Sequence, residues 1–282
     1  MGYDDILLHL DSYPDSTPPE AVDQAVRVCA ALGGRVTATA FHVRIPVKSN
    51  IIAERLLGLT EMARKEESRS LDNVWSLLAR FATQAEQAGL KHNNLPVEVD
   101  YYDRPDHLSK MARTYDICVI PYFGEIALQT SHAEATVFGS GRPVVVFRGD
   151  TGAQLPTRFK QILIAWDGSR AASRAVADAM PLLKAAKEVR ILTIIGDKPA
   201  TVGDHATGLR RHLAAHGIEA QAEEYTAAGR SAGQILEQVA TERGFDLLVM
   251  GAFGHSRARE FLLGGATQYI LTAPPIPVFL AH

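Results

Sequence analysis

Cysteine is almost missing from this chain: Cys29 and Cys118 are the two present among 282 residues. Two unpatterned thiols exclude a disulfide framework and a thiolate zinc site. Each lies in an apolar run (AVRVCAAL and DICVIP), where a free cysteine behaves as a small buried hydrophobe. No apolar stretch approaches the roughly 20 residues that a membrane-spanning helix needs, and the opening YDDILLHLD lacks the basic-then-apolar order of a secretory leader. Excess charge is missing as well. With 29 Lys+Arg against 32 Asp+Glu the formal net charge is -3, so electrostatics provide no reason to expect nucleic acid or an anionic membrane as a partner. Basic residues do not interleave with aromatics either. The expected location is cytoplasmic.

Several chemical signatures are absent too. There is no GxxxxGK[ST] loop, no GxGxxG and no GxSxG, which excludes P-loop, dinucleotide-binding and hydrolase-elbow chemistry at the motif level. The ten histidines show no metal-ligand spacing. His205, His212 and His216 come nearest, but a helical pair such as His212 and His216 without further ligands reads as a solvated face, so no metal site is expected.

What is present is alternation. Residues 3–11 form a short apolar strand ending in Asp11, residues 21–32 carry apolar positions at helical spacing before Gly33-Gly34, and residues 36–43 form a second strand. Residues 46–67 suggest one amphipathic helix or two short ones, and a clearer helix follows with Leu71, Val74, Trp75, Leu78 and Phe81 on one face. A third strand is expected at VEVDYY, a short helix over 106–114, a fully apolar strand over 117–121, a helix around 133–138 and a fifth strand at RPVVVF.

At Phe159 the pattern restarts. FKQILIAWDGS repeats YDDILLHLDSY and sets Asp167 against Asp11. RILTII repeats TATAFHV, GFDLLVMGAFG repeats TYDICVIPYFG, and IPVFLA repeats RPVVVF. Four blocks in one order indicate tandem duplication, with domains at 1–148 and 157–282 and the Gly/Pro-containing stretch 149–156 as linker. Strand and helix alternation predicts an α/β fold with mostly parallel sheets and helices on both faces. The first half carries the extra segment at about 46–67, and the second joins Ile195 to the next helix through GDKPATVGDHATG.

Glycines concentrate where the last apolar stretch but one ends. DLLVMGAFGHSRAREFLLGGAT places Gly251 and Gly254 after the strand, then nine residues, then Gly264-Gly265 with Ala266 and Thr267 opening a helix. Without a Cβ, backbone N–H groups can approach a phosphate, and the helix adds free N–H groups and a positive dipole end. Isolated glycines of this kind also serve as loop punctuation. Their place at the carboxyl end of a strand in a βα unit is the binding edge of an open α/β sheet. Asp167 has two readings, a turn former in DGS or a ligand contact. Arg257 and Arg259 flank the loop and can equally face water.

GAFGHSRAREFLLGGAT together with WDGS resembles the universal stress protein family, whose nucleotide-binding members carry Gly-x-x-Gly, nine residues, then Gly-Ser or Gly-Thr. The resemblance spans nearly the whole chain as two copies. It implies two tandem doubly wound, Rossmann-like five-stranded sheets of strand order 3-2-1-4-5, packed through their last strands as an intrachain pseudo-dimer, with homodimerisation also open. It also implies that Gly251, Gly254, His255, Gly264, Gly265, Ala266 and Thr267 surround ribose and phosphates, with Arg257 beside them. Ala165 and Asp167 would face the nucleoside and Ile195 would lie beside the adenine. Gly265 departs from the pattern, standing where ATP-binding members have a hydroxyl. The first half departs further, with Pro121 opposite Gly251 and only Gly124 matching, opposite Gly254.

The expectation is a non-enzymatic stress-response regulator that binds ATP or AMP, with Mg2+ as an accompanying ion, in its C-terminal half, any hydrolysis being slow and incidental. The rival is a nucleotide-free interaction or assembly module of the same family, acting through an unknown protein partner. An adenylating enzyme is the weakest reading, since neither WDGS nor LDSY carries a serine-glycine-rich phosphate loop.

Overall fold

The computed structural model describes residues 2–47, 58–195, 206–252 and 265–282. The first half runs β1 (Asp5–Leu10), α1 (Pro19–Leu32), β2 (Arg35–Arg44), α2 (Leu59–Gln87), β3 (Lys91–Asp100), α3 (Arg104–Ala112), β4 (Ile117–Tyr122), α4 (Ala127–Gly139) and β5 (Val144–Arg148). The second runs β6 (Gln161–Ala165), α5 (Arg170–Ala185), β7 (Glu188–Ile195), α6 (Thr207–Ala215), β8 (Ala220–Thr226), α7 (Ala232–Glu242), β9 (Leu247–Gly251), α8 (Gly265–Thr272) and β10 (Val278–Ala281).

Local chemistry sets many of these ends. Pro19 opens α1, where its missing N–H costs nothing, and Gly33 closes it at a φ of 83° that a side chain would resist. Ser169 caps α5 by accepting from the Ala172 amide at 3.1 Å. Ser231 and Gln234 cap α7 reciprocally, the Ser231 hydroxyl accepting from Gln234 N and the Gln234 amide oxygen from Ser231 N.

The strands form one ten-stranded sheet in the order β3-β2-β1-β4-β5-β10-β9-β6-β7-β8. Each half has the expected 3-2-1-4-5 order with parallel neighbours, but the two five-stranded sheets are fused. β5 and β10 pair antiparallel, Val144 opposite Leu280, Val145 opposite Phe279 and Val146 opposite Val278. All six residues are fully buried. The outermost strands, KHNNLPVEVD and AQAEEYT, carry the charged and polar residues, and in β3 the proline, that discourage further edge pairing.

The duplication is visible in the register. Ile6 pairs with Ile117 in one half and Ile162 with Leu247 in the other. Before each of those strands an aspartate clamps the start of its neighbour. Asp116 accepts from the amides of Asp4 and Asp5 at 2.9 and 3.0 Å, and Asp246 from those of Lys160 and Gln161 at 2.7 and 3.0 Å. Both cysteines are buried as expected, and burial pushes their thiols up.

Three sequence expectations need correcting. Residues 59–67 are not a separate helix but the first turns of α2, which continues unbroken to Gln87; residues 48–57 lie outside the described set. The apolar stripe is interrupted by Ser70, yet Ser70 is fully buried, because its hydroxyl contacts that of Ser12 at 2.9 Å and accepts from Val43 N at 3.0 Å. β3 starts at Lys91 and ends before Tyr101-Tyr102, since an edge strand needs no apolar alternation to pair with β2 through its backbone. α4 starts at Ala127, six residues before the expected region, since its first turns bury polar Gln129 and His132.

Residues 149–156 are tied down rather than loose. Leu155 N donates to Gln24 on α1 at 2.8 Å, and Arg27 donates to the Leu155 carbonyl. Tyr3 of the first half donates to the Asp178 carbonyl of α5 at 2.8 Å and stacks near Phe279.

Candidate functional site

The carboxyl ends of β6, β7 and β9 open into a cavity of about 290 Å³, at the lower edge of the roughly 300–1,000 Å³ typical of small-molecule pockets. Its floor is apolar. Leu192 and Ile194 share one face of β7 by the two-residue period of a strand, and Leu236 of α7 and Met250 of β9 complete the slot. Its rim consists of Ala165 at the end of β6, Trp166 and Asp167 just after it, Gly251 at the end of β9, and Gly265, Ala266 and Thr267 in the first turn of α8.

Gly251 and Gly265 are glycines for different reasons. A Cβ on Gly251 would lie 2.4 Å from Ala172 N and 2.5 Å from Ala171 C, so the end of β9 can pass the first turn of α5 only without a side chain. A Cβ on Gly265 would meet nothing within 4 Å. Among the described residues the space beside Gly265 is therefore open, and the positive end of the α8 dipole there favours an anion.

Asp167 serves its turn. Its Oδ1 accepts from Ser169 N at 2.9 Å, shaping the DGS bend that lets Ser169 cap α5, while the residue stays exposed on the cavity rim. Thr267 is buried, and its hydroxyl donates to the Gly251 carbonyl across a long 3.5 Å. α8 itself is held by Tyr269, whose ring covers Gly233 so closely that a Cβ there would sit 2.6 Å from it, and whose hydroxyl donates to Glu237. Gly233 and Glu237 thus fix the helix that carries half of the rim.

The structure brings together Ala165, Asp167, Gly251, Gly265, Ala266 and Thr267. Ile195 ends β7 as expected but does not line the cavity; its neighbour Ile194 does. Gly254, His255, Arg257 and Gly264 lie outside the described residues. Trp166, Leu192, Ile194, Leu236 and Met250 also line the cavity, beyond the residues expected from the sequence. The alternation of RILTII contained the signal for Leu192 and Ile194, whereas Leu236 reaches the slot only through the packing of α7.

The universal stress protein family model matches residues 158–282. No curated protein matches the chain in sequence. Among solved structures, a universal stress protein from Archaeoglobus fulgidus DSM 4304 shares 18% identity at a TM-score of 0.66, over 98% of this chain and 97% of that one. A functionally unknown protein from Pseudomonas aeruginosa PAO1 shares 13% identity at a TM-score of 0.59, over 99% of this chain and 92% of that one. At these identities the likeness is one of fold, and it extends through both halves.

Proposed function

We propose that the stretch 158–282, which the universal stress protein family model matches, is a domain of that family and binds an adenine nucleotide, ATP or AMP, in the crevice between β6 and β9. One observation carries the reading: an apolar slot sized for a base leads to the first turn of α8 at Gly265, where among the described residues nothing lies within 4 Å of an added Cβ. The slot of Leu192, Ile194, Leu236 and Met250 takes the base, Asp167 lies toward the nucleoside, and the amides of Gly265, Ala266 and Thr267 meet phosphate. Gly254, His255, Arg257 and Gly264, named from the family pattern alone, complete the set in this proposal. Mg2+ accompanies the nucleotide through its phosphates.

The chain is then a stress-response regulator rather than an enzyme, acting in the cytoplasm through a protein partner. Its domains, 1–148 and 157–282, act as an intrachain pseudo-dimer, a reading supported by the antiparallel β5–β10 pairing. No described helix is long and apolar enough to cross a membrane.

Gently purified protein, denatured and chromatographed, should release adenine nucleotide, and calorimetry should show ATP or AMP binding that Ile194→Trp abolishes by filling the slot. Absence of both released and titrated nucleotide would overturn the reading in favour of a nucleotide-free assembly module.

A further inference from the structure

In the first half the equivalent place is filled. His9 and Asp11, two apart at the end of β1, lie on one face of the sheet, and α4 crosses that face with Gln129 and His132 one turn apart. The two copies can be superposed by counting. Ile6 and Ile162 hold the same register, which sets His9 against Ala165. Pro143 and Pro277 each accept the same amide of the neighbouring strand, from Cys118 and Leu248, which sets His132 against Ala266. Two small residues that line the cavity of the second half are thus imidazoles in the first.

These groups are sealed from water: His9 is 1% exposed, Asp11 4% and His132 0%. Their ligating atoms all lie within 4.8 Å of one another, the single such cluster of three among the described residues. The spacing is informative. His9 Nε2 is 3.2 Å and His132 Nδ1 3.4 Å from the same Asp11 Oδ1. A charge-assisted N–H···O⁻ bond closes to about 2.7–2.9 Å. Two ligands bonded at about 2.0–2.1 Å to one tetrahedral ion stand about 3.3–3.4 Å apart. The His9 contact also serves as a hydrogen bond in the metal-free geometry, whereas His132, at the spacing of a coordination edge, has neither ring nitrogen hydrogen-bonded among the described residues.

The surroundings fix this geometry. Gln129 Nε2 donates to the other carboxylate oxygen, Oδ2, at 3.1 Å, leaving Oδ1 to the imidazoles, as outer partners of metal-bound carboxylates do. The backbone of Asp11 is braced by Thr17, whose hydroxyl accepts from Asp11 N at 2.9 Å and whose amide donates to Asp11 O at 2.8 Å. Arg104, the nearby buried cation, donates instead to the Tyr101 and Tyr13 carbonyls.

We propose that His9, Asp11 and His132 form a binding site for a divalent transition-metal ion of the Zn2+ type, closing the first half at the position where the second keeps an open cavity. The donor set of two imidazole nitrogens and one carboxylate oxygen suits Zn2+ rather than Mg2+ or Ca2+. The inference is independent of nucleotide binding in the second half.

The full chain, stripped with EDTA, should bind one Zn2+ per chain by calorimetry, and with Co2+ its X-ray absorption should show two imidazoles and an oxygen donor. Asp11→Asn and His132→Gln should each weaken Zn2+ binding at least tenfold, while His212→Ala with His216→Ala should leave it unchanged. No metal bound by the wild type, fewer than two imidazoles in its shell, or affinity that survives both ligand substitutions would overturn the proposal. The absorption measurement needs no variant, so a misfolded substitution does not shield the idea.

Discussion

Asp11 and Asp167 occupy one position in two copies of a fold, each just past the first strand of its half, yet Asp11 is 4% exposed and Asp167 stands exposed on the rim of a cavity. The difference follows from the chain after them. Asp167 is followed after two residues by the start of α5, whereas residues 12–18 intervene between Asp11 and α1 and fold back over it, with Ser12 and Thr17 buried.

The open space beside Gly265 makes a gain of function testable. Gly265→Ser adds a hydroxyl donor without a clash among the described residues. It should leave stability nearly unchanged and tighten ATP binding about two- to tenfold, the value of one hydrogen bond of about 0.5–1.5 kcal/mol, as read by calorimetry. Unchanged ATP affinity would show that this residue does not face the phosphates.

Gly251 should behave in the opposite way. Gly251→Val drives a side chain into the Ala171–Ala172 backbone, and overpacking of this kind costs about 1–3 kcal/mol. Urea unfolding should show that loss even with no nucleotide present. A fully stable variant would place the role of Gly251 in ligand contact alone.

Removing an aspartate clamp should weaken either half. In Asp246→Ala the amides of Lys160 and Gln161 lose their acceptor, with an expected loss of about 1–3 kcal/mol. Asp116→Ala, which frees the amides of Asp4 and Asp5, should cost a similar amount. A large loss in one half only would mean that the duplicated clamp no longer performs the same task in both.

Phe279 lies at the seam, opposite Val145 and fully buried. Phe279→Ala should cost about 3–5 kcal/mol. Because the sheet is continuous, calorimetry should show one unfolding transition, shifted as a whole. Two separate transitions, with only the later part of the chain affected, would show that the halves unfold independently.

Much of this was legible in the residues. Strand blocks repeated in order announced the duplication, and the register of Ile6 and Ile162 follows the alignment of their sequences. Gly251 and Gly265, singled out in the sequence, line the cavity at the carboxyl ends of the strands. What could not be read was whatever depends on polar groups being buried. The face expected of α2 included Trp75, which is 57% exposed, and left out Ser70, which is buried through its contacts with Ser12 and Val43. The proximity of His9 and His132 is equally hidden in the sequence, because they come from opposite ends of the first half and meet only where α4 crosses β1. Gly251 was read as a phosphate-loop glycine, but its packing against α5 is a separate reason for it that no motif reveals.

The antiparallel seam at Val144–Val146 has a consequence for communication. Since strands are parallel within each half and reversed between them, the end that holds Asp11 and the end that holds Asp167 point toward opposite edges of the sheet. An occupant of one end cannot touch an occupant of the other. Any influence between them has to cross the seam, through the six buried residues of the β5–β10 pairing, the helices packed across it and contacts such as that of Tyr3 with Asp178.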